Sequence, residues 1–590
     1  MDRKLSFPGG GTRNEHPRPD FQRAEWLCLN GAWAFEYDDR DCGEKERWYL
    51  QHQYSRHINV PFSYQSELSG IGSKDIHNCL WYQREFELPA SLGRKRIFLK
   101  FGAVDFYAKV WVNGIYLGDH AGGYTPFSFD VTEALQNSNT VVLRVEDRHF
   151  DRSQPRGKQM WTEEPFGCWY TGFSGIWQTV WIEAVAEVSL ESIKLIPDID
   201  QRQIELEVFL NGFCEGLELH VVIELDRQPI TAARQTIGSR SVKLAVRLET
   251  DRFAWNGIQL WTPETPNLYD IELKIMRNGQ CLDCVRSYFG MRAVSVQDNR
   301  FLLNHVPYYQ KLILDQGYYA RGGITAANEA ALINDLEMIK KMGFNGLRMH
   351  QKIEEPLFLY WCDRLGLLVW EEMPSFYRYD ETAVKHQLRE WPEVIARDYN
   401  HPAIVTWVPF NESWGVAAVG HDATQQNYIK SIYYLTKSLD NTRLVIDNDG
   451  WEHTDTDICT IHDYEQDGER LFRVYANPDR VLKGAPSAMY PRFVFAAGYG
   501  YKNQPVMISE CGGIAFSGSD GWGYGDGAAN ETEFMARFQG LLDAVQKLDY
   551  VCGYCYTQLT DVEQERNGLM TMARQMKIDP EAIRRINARC

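Results

Sequence analysis

V-P-F-N-E-S-W at 408–414 and V-M-I-S-E-C at 506–511 each carry an apolar run into a glutamate, Glu412 and Glu510. Short apolar runs of this kind, separated by segments with a helical period, are buried parallel strands. Working outward, Asn328 and Glu329 open a helix whose stripe is Leu332, Leu336 and Ile339, closed by Gly343 and followed at once by the strand F-N-G-L-R-M. A second helix, P-L-F-L-Y-W-C-D-R-L at 356–365, stops at Gly366 before L-L-V-W. Strands are expected near 309–314, 344–349, 367–371, 403–410, 443–447, 457–461, 505–509 and 550–556. Eight of them predict a (β/α)8 barrel over 298–590, with Glu412 after the fourth strand and Glu510 ending the seventh, where barrel enzymes keep their chemistry.

The sequence before the barrel has a different grammar. R-I-F-L-K-F (96–101) and A-K-V-W-V (108–112) alternate, and Asn113-Gly114 then marks a hairpin with I-Y-L-G as the return strand. With V-V-L-R-V-E (141–146) and W-Q-T-V-W-I-E (177–183), residues 1–186 read as a β-sandwich of the jelly-roll kind. Four further strands, I-E-L-E-V-F-L, L-H-V-V-I-E-L, V-K-L-A-V-R-L and Y-D-I-E-L-K-I, predict a smaller immunoglobulin-like sandwich over 187–297. A chain of 590 residues is too long for a single core, so this modular reading is expected.

Composition excludes some partners. A net charge of −18, from 62 basic and 80 acidic residues, repels phosphate backbones and anionic lipid, so neither nucleic acid nor membrane is an expected partner. No apolar stretch at the start resembles a signal peptide and no run of about eighteen apolar residues occurs, which makes a cytoplasmic protein the expectation. Thirteen scattered cysteines fit free thiols. Cys281 with Cys284 and Cys552 with Cys555 form C-x-x-C pairs, but they lie in different domains without a histidine cluster, so no metal site is expected.

Two carboxylates about 5 Å apart suit double displacement at an anomeric carbon, one as nucleophile and the other first as acid and then as base. The acid needs a raised pKa, to which the charge of its partner contributes. On pattern alone, structural ion pairs at the barrel mouth are an equal reading of Glu412 and Glu510.

The chain resembles glycoside hydrolase family 2 along nearly its whole length. The resemblance rests on N-G-A-W-A-F near the start, V-W-V-N-G at 110–114, G-G-Y-T-P-F-S-F-D at 122–130 and S-G-I-W-Q-T-V-W at 174–181. It continues with W-C-D-R-L-G-L-L-V-W-E-E at 361–372, N-H-P-A-I-V-T-W-V-P-F-N-E-S-W at 400–414 and I-S-E-C-G-G at 508–513. It implies a jelly roll, an immunoglobulin-like sandwich and a barrel in that order. It also implies Glu412 as acid/base, Glu510 as nucleophile and Asn411 as partner of the sugar 2-hydroxyl, with no organic cofactor and no required metal. Sandwich domains in such enzymes often contribute to oligomer contacts, so a homo-oligomer is compatible with it.

Further substrate contacts are expected from Asp315 after the first strand, from His350 after the second, from Trp414 as a stacking wall, and from His462 and Tyr464 in I-H-D-Y after the sixth. Loop capping or core packing is the competing role of each. The loop after the second strand reads Arg348-Met349-His350-Gln351-Lys352, where the family usually has R-x-x-H followed by Tyr-Pro. Members specific for glucuronides carry Asn-x-Lys before a late glycine, and this chain has Glu565-Arg566-Asn567-Gly568 instead. An ordinary β-glucuronidase clamp is therefore missing. Arg348, Lys352 and Arg566 are the cations expected to replace it if the sugar is acidic, with a pair between Arg348 and Glu371 or Glu372 and a solvent-facing Lys352 as the competing roles; Asn567 is a further expected substrate contact. The reading is an exo-acting retaining β-glycosidase for a small carbohydrate or glycoconjugate ending in a β-linked galactosyl or hexuronosyl residue. A β-mannosidase-type specificity and a non-catalytic carbohydrate-binding protein are the alternatives.

Overall fold

In the computed structural model, the structure describes residues 13–92, 95–248, 257–484 and 492–589. Asn113 and Gly114 take φ of 51° and 79° between strands Tyr107–Val112 and Ile115–Ala121. Positive φ at both central residues is what a tight hairpin turn with the right-handed strand twist requires. This hairpin ends a six-stranded antiparallel sheet that also contains Arg56–Val60, Gly31–Tyr37, Cys79–Phe86 and Asn139–Glu146. A four-stranded sheet, Trp26–Cys28, Val180–Val185, Arg96–Phe101 and Phe127–Asp130, forms the second layer. Alternate residues from both sheets, among them Phe35, Leu99, Val110, Leu143 and Ile182, make one core. The strand expected over 177–183 begins only at Val180. Trp177 instead turns its indole to donate to Gly123 O at 2.8 Å.

The next unit pairs a three-stranded sheet (Leu190–Asp198, Gln203–Leu210, Ser241–Arg247) with a four-stranded one (Gln228–Thr236, Leu217–Leu225, Tyr269–Arg277, Gln280–Phe289). Seven antiparallel strands around a separate aliphatic core make it immunoglobulin-like.

The barrel strands are β1 (Gln310–Asp315), β2 (Gly346–Met349), β3 (Leu368–Glu372), β4 (Ile404–Val408), β5 (Leu444–Val445), β6 (Cys459–His462), β7 (Val506–Gly512) and β8 (Val551–Thr557). They pair in parallel in the order β5-β4-β3-β2-β1-β8-β7-β6. The ring closes between β5 and β6 through Asp457, whose N–H donates to Val445 O at 2.9 Å. Helix α1 (Glu329–Lys341) is capped by Asn328, which accepts from Ala331 N, and it buries Leu332, Leu336 and Ile339. Helix α2 (Pro356–Leu365) ends at Gly366 with φ of 73°, a left-handed cap that favours glycine. Cys552 and Cys555 lie three positions apart on β8, and an odd separation on a strand points two side chains to opposite faces. Among the described residues no helix is long and apolar enough to cross a membrane.

The first sandwich and the barrel share one apolar core. Ala103, Tyr124, Tyr170, Phe173 and Trp177 pack into the same cluster as the barrel interior. Burying a side chain such as Phe173 contributes about 1.5–3 kcal/mol. This contact holds the sandwich segment 152–174 against the C-terminal mouth of the barrel: Arg156 N and Gly157 N donate to Ser375 O at 3.0 and 3.1 Å, and Tyr377 OH donates to Gly157 O at 2.6 Å. A side chain at Gly157 would begin 2.1 Å from Gln351 O, so glycine is needed for the approach.

Candidate active site

Ends of five barrel strands meet at Arg348, a guanidinium with no exposed surface. Its Nε donates to Glu372 Oε2 at 2.7 Å, its Nη1 to Glu510 Oε1 at 2.6 Å, and its Nη2 to Asn411 Oδ1 at 2.7 Å. Asp449 Oδ2 lies 3.0 Å from Nη2. One planar fork thus joins three carboxylates and an amide contributed by β3, β4, β5 and β7 or the turns that follow them. Burial pushes the Glu372 carboxyl up to about 7 although Arg348 opposes it. Burial also acts to raise Asp449, but Arg348 and His462 outweigh it and hold the group well below the usual carboxylate range.

His462, at the end of β6, bridges the two glutamates. Its Nδ1 lies 2.8 Å from Glu412 Oε1 and 3.5 Å from Glu510 Oε2, and its Nε2 lies 3.2 Å from Asp449 Oδ2. Burial disfavours the imidazolium, yet Glu510 and Asp449 raise its pKa to about 10, so at neutral pH both ring nitrogens carry protons. One ligand-type atom from each of Glu412, His462 and Glu510 lies within 4.8 Å of the others. That trio has metal-like spacing, and its members already contact one another, with His462 Nδ1 2.8 Å from Glu412 Oε1. A second such group, Asp38, Asp41 and Cys79, already engages Asp41 in an ion pair with Arg144 at 2.6 Å.

The expected upward shift of Glu412 is not what the free protein has. Burial alone would raise it, but the hydrogen bond and charge of His462, followed by the charges of Lys158 and Arg348, bring its pKa below the ordinary value. Glu412 and Ser413 both sit in the left-handed region, with φ of 52° and 56°. Such backbone costs about 1–3 kcal/mol per residue. It is held by Glu412 N donating to Asp449 O at 2.9 Å, Ser413 N to Asn448 Oδ1 at 2.9 Å, and Ser413 Oγ to Glu452 Oε2 at 2.6 Å.

Several expected residues come together here. Asn411 uses Oδ1 on Arg348 and keeps a buried Nδ2 without a partner. The Tyr464 hydroxyl donates to Glu510 and lies 3.2 Å from Thr557 Oγ1, with its ring stacked 3.4 Å from that of Tyr524. Trp414 Nε1 donates to Glu412 Oε2 at 3.2 Å, and its ring meets Trp169 of the first sandwich edge-on at 5.0 Å. His350 is buried, with Nδ1 3.0 Å from Glu372 Oε1 but out of line for a hydrogen bond; burial, then Arg348 and Lys158, keep it neutral. Asp315 accepts from Gly317 N at 2.9 Å and leaves Oδ2 unpartnered, and burial raises its pKa to about 6. Asn567 takes a hydrogen bond from Gln558 at 2.7 Å and donates to Glu565 Oε1 at 3.0 Å.

Three expected cations are placed differently. Arg348 has the pairing role, its donors engaging Glu372, Asn411, Asp449 and Glu510. Lys352 is turned into the protein, donating to Gly317 O at 2.9 Å, Ile324 O at 2.8 Å and the Glu354 carboxylate. Arg566 donates to Asp520 O at 3.0 Å. Its side chain lines a surface cleft with Phe516, Asp520, Asp561 and Lys577.

Glu372, the expected partner of Arg348, ends β3. Other members of the site were not anticipated. Asp449 follows β5, where a carboxylate after a strand was a usable signal. Lys158, Cys168, Trp169 and Tyr170 come from the first sandwich, and Glu565 accepts from Tyr170 OH at 2.6 Å. No local pattern in the sequence announces that this segment crosses to the barrel.

A closed parallel barrel with paired glutamates at its C-terminal mouth, preceded by two sandwiches, defines the class of protein. Models described as "Glycosyl hydrolases family 2, sugar binding domain", "Glycosyl hydrolases family 2" and "Glycosyl hydrolases family 2, TIM barrel domain" match residues 27–181, 188–292 and 294–512. The chain belongs to glycosyl hydrolases family 2. It is 27% identical over 406 residues to a beta-galactosidase of Thermoanaerobacter pseudethanolicus, covering 66% of this chain and 51% of that one. It is 28% identical over 406 residues to a putative beta-glucuronidase of Formosa agariphila, covering 65% and 46%. The chain thus spans about half the length of these curated relatives. Its fold is similar to that of a β-glucuronidase from Ruminococcus gnavus in complex with D-glucuronic acid, with a TM-score of 0.78, 19% identity and coverage of 97% and 99%.

Proposed function

We propose that this chain is a retaining exo-β-glycosidase that releases a terminal β-linked D-galactosyl or D-hexuronosyl residue, with Glu510 as nucleophile and Glu412 as acid/base. The observation that carries the reading is the closeness of the two carboxylates across His462, within 4.8 Å atom to atom. Retaining enzymes hold their carboxyl groups about 5–5.5 Å apart, whereas inverting ones leave room for a water between them. The names of the two relatives, and the D-glucuronic acid bound by the Ruminococcus gnavus enzyme, support sugars of this class.

The position of the proton follows from the electrostatics. In the free enzyme His462 and Glu412 share one proton along a 2.8 Å contact, and the negative charge of Glu510 helps to retain it. As Glu510 attacks the anomeric carbon, the glycosidic bond breaks and the leaving oxygen takes that proton through Glu412. Glu510 is then a neutral ester, the Coulomb support for the proton falls, and the His462–Glu412 pair becomes the base that takes a proton from water. Hydrolysis of the ester frees the sugar with its β configuration and restores the carboxylate. Arg348 and Tyr464 hold Glu510 in place, and the free Nδ2 of Asn411 is positioned as a donor for the sugar 2-hydroxyl.

The test is turnover of nitrophenyl β-glycosides by Glu510→Ala and Glu412→Ala variants. Loss of Glu510 is expected to lower kcat on the order of 10⁴-fold or more, as removal of a nucleophile does. Glu412→Ala is expected to retain activity only on substrates with very good leaving groups, and azide is expected to rescue it as a β-glycosyl azide. Near-unchanged turnover of an unactivated glycoside by either variant would refute that residue's role.

A further inference from the structure

Lys158 is 6% exposed, and among the described residues no carboxylate oxygen lies within 4 Å of its Nζ, although acidic groups crowd this mouth. Its hydrogen-bonding partner is the Cys168 thiol, with Nζ 3.3 Å from Sγ. A thiol is a weak acceptor, and burial pushes this one up to about 11, so it is neutral and offers no counter-charge. Other buried side-chain cations of the barrel mouth are matched: Arg348 faces Glu372, Asp449 and Glu510, and Lys352 faces Glu354. Burial works against this ammonium, and the groups around it, Cys168, Tyr377, Glu565 and Glu412, outweigh that and raise its pKa without a direct carboxylate contact, a place that an incoming carboxylate can take.

The placement of Lys158 is built rather than incidental. Tyr170 N donates to Lys158 O at 2.8 Å, and the Tyr170 hydroxyl reaches Glu565, so one short ladder sets Lys158 beside the Glu565–Asn567 turn. Nζ lies 5.6 Å from the centre of the Trp169 ring, which contacts Trp414, which in turn hydrogen-bonds Glu412. The charge of Lys158 is felt at Glu412, one of the reacting pair, and at Glu565 and His350 on other barrel loops.

We propose that Lys158, supplied by the first sandwich, is the specificity-determining residue that pairs with the C6 carboxylate of a β-hexuronide, in place of the missing lysine after Asn567. This deepens, and rests on, the glycosidase reading above. An ammonium on a flexible stem can exchange its thiol contact for a charge-assisted bond to the incoming carboxylate without moving the loop. A neutral galactoside would leave it unpaired.

The experiment compares kcat/KM of the full chain and its Lys158→Met and Lys158→Arg variants on 4-nitrophenyl β-D-galactopyranoside, β-D-glucuronide and β-D-galacturonide. The unmodified protein is expected to prefer an acidic glycoside. Lys158→Met is expected to lose about 10²-fold on that substrate, with a change of only a few-fold on the galactoside, and Lys158→Arg to recover part of the loss. Preference of the unmodified protein for the galactoside, or equal losses on neutral and acidic substrates, would overturn the proposal and leave the glycosidase reading standing. Calorimetric binding of free D-glucuronate and D-galacturonate covers the case in which no glycoside is cleaved. Binding of either that disappears in folded Lys158→Met supports the carboxylate site, whereas binding unaffected by the substitution, or none to the unmodified protein, overturns it.

Discussion

The floor and the wall of this site are built to opposite specifications. On the floor, Arg348 meets Glu372, Asn411, Asp449 and Glu510 within 3.0 Å, so its charge is answered before any sugar enters. On the wall, Lys158 has a thiol at 3.3 Å and no carboxylate within 4 Å among the described residues. The floor comes from strands of one barrel, whose spacing is set by the ladder. The wall comes from another sandwich, laid across the mouth by Tyr377, Ser375 and Gly157. In the proposed reading, a preorganised floor serves chemistry common to many glycosides by positioning the nucleophile without reorganisation. An incomplete wall would in turn leave selectivity to the ligand that supplies the missing charge.

The contrast can be broken most severely at Arg348. Arg348→Met would leave Glu372, Asp449 and Glu510 without their shared cation in a buried cluster, and removing one partner of such a set costs about 3–5 kcal/mol. A denaturant titration is expected to show that loss, together with collapse of activity on neutral and acidic glycosides alike. An unchanged midpoint would mean that the floor is not held by this guanidinium.

A smaller effect is expected from pH at His462. Its folded pKa of about 10 lies above the ordinary 6.5, so the folded protein binds this proton more tightly than the unfolded chain does. The stabilisation is therefore complete below 6.5 and is lost as pH rises through about 10. Over the same upper range kcat/KM is expected to fall, since the proton delivered to the leaving group is lost with it. His462→Asn is expected to flatten both dependences; an alkaline limb that stays unaltered in the variant would place the acid's proton elsewhere.

The smallest effect sharpens the boundary of the wall. Arg566 donates to Asp520 O and lines a cleft with Asp561 and Lys577. Arg566→Ala is expected to change kcat/KM on hexuronides by less than about threefold, and stability by no more than about 0.5 kcal/mol. A loss comparable to that of Lys158→Met would move the carboxylate site to Arg566.

Much of the architecture was readable from local pattern. The helix stripe Leu332, Leu336 and Ile339, the caps at Asn328 and Gly366, and the turn at Asn113-Gly114 stand where the periodicities put them. Each depends on neighbours within a few residues, which a linear pattern records. The strand over 177–183 came out shortened because Trp177 binds Gly123, fifty-four positions away, a contact without a local signature. The same reason explains why the roles of the cations stayed open. Arg348 and Lys352 were legible as charges near a strand end, but whether they face a sugar depends on Glu372, Glu510, Gly317 and Ile324, brought to them by the barrel.

By itself the sequence determined the element order, the two sandwiches, the eight barrel strands and the presence of Glu412 after the fourth and Glu510 near the end of the seventh, because hydrophobic period and turn chemistry act over short distances. Only the tertiary structure decided which cations are already paired, where the proton of His462 rests, and that Lys158 of the first sandwich stands at the barrel mouth. Charge and desolvation depend on what surrounds a group in space, and those surroundings come from residues as far apart as Tyr170 and Glu565.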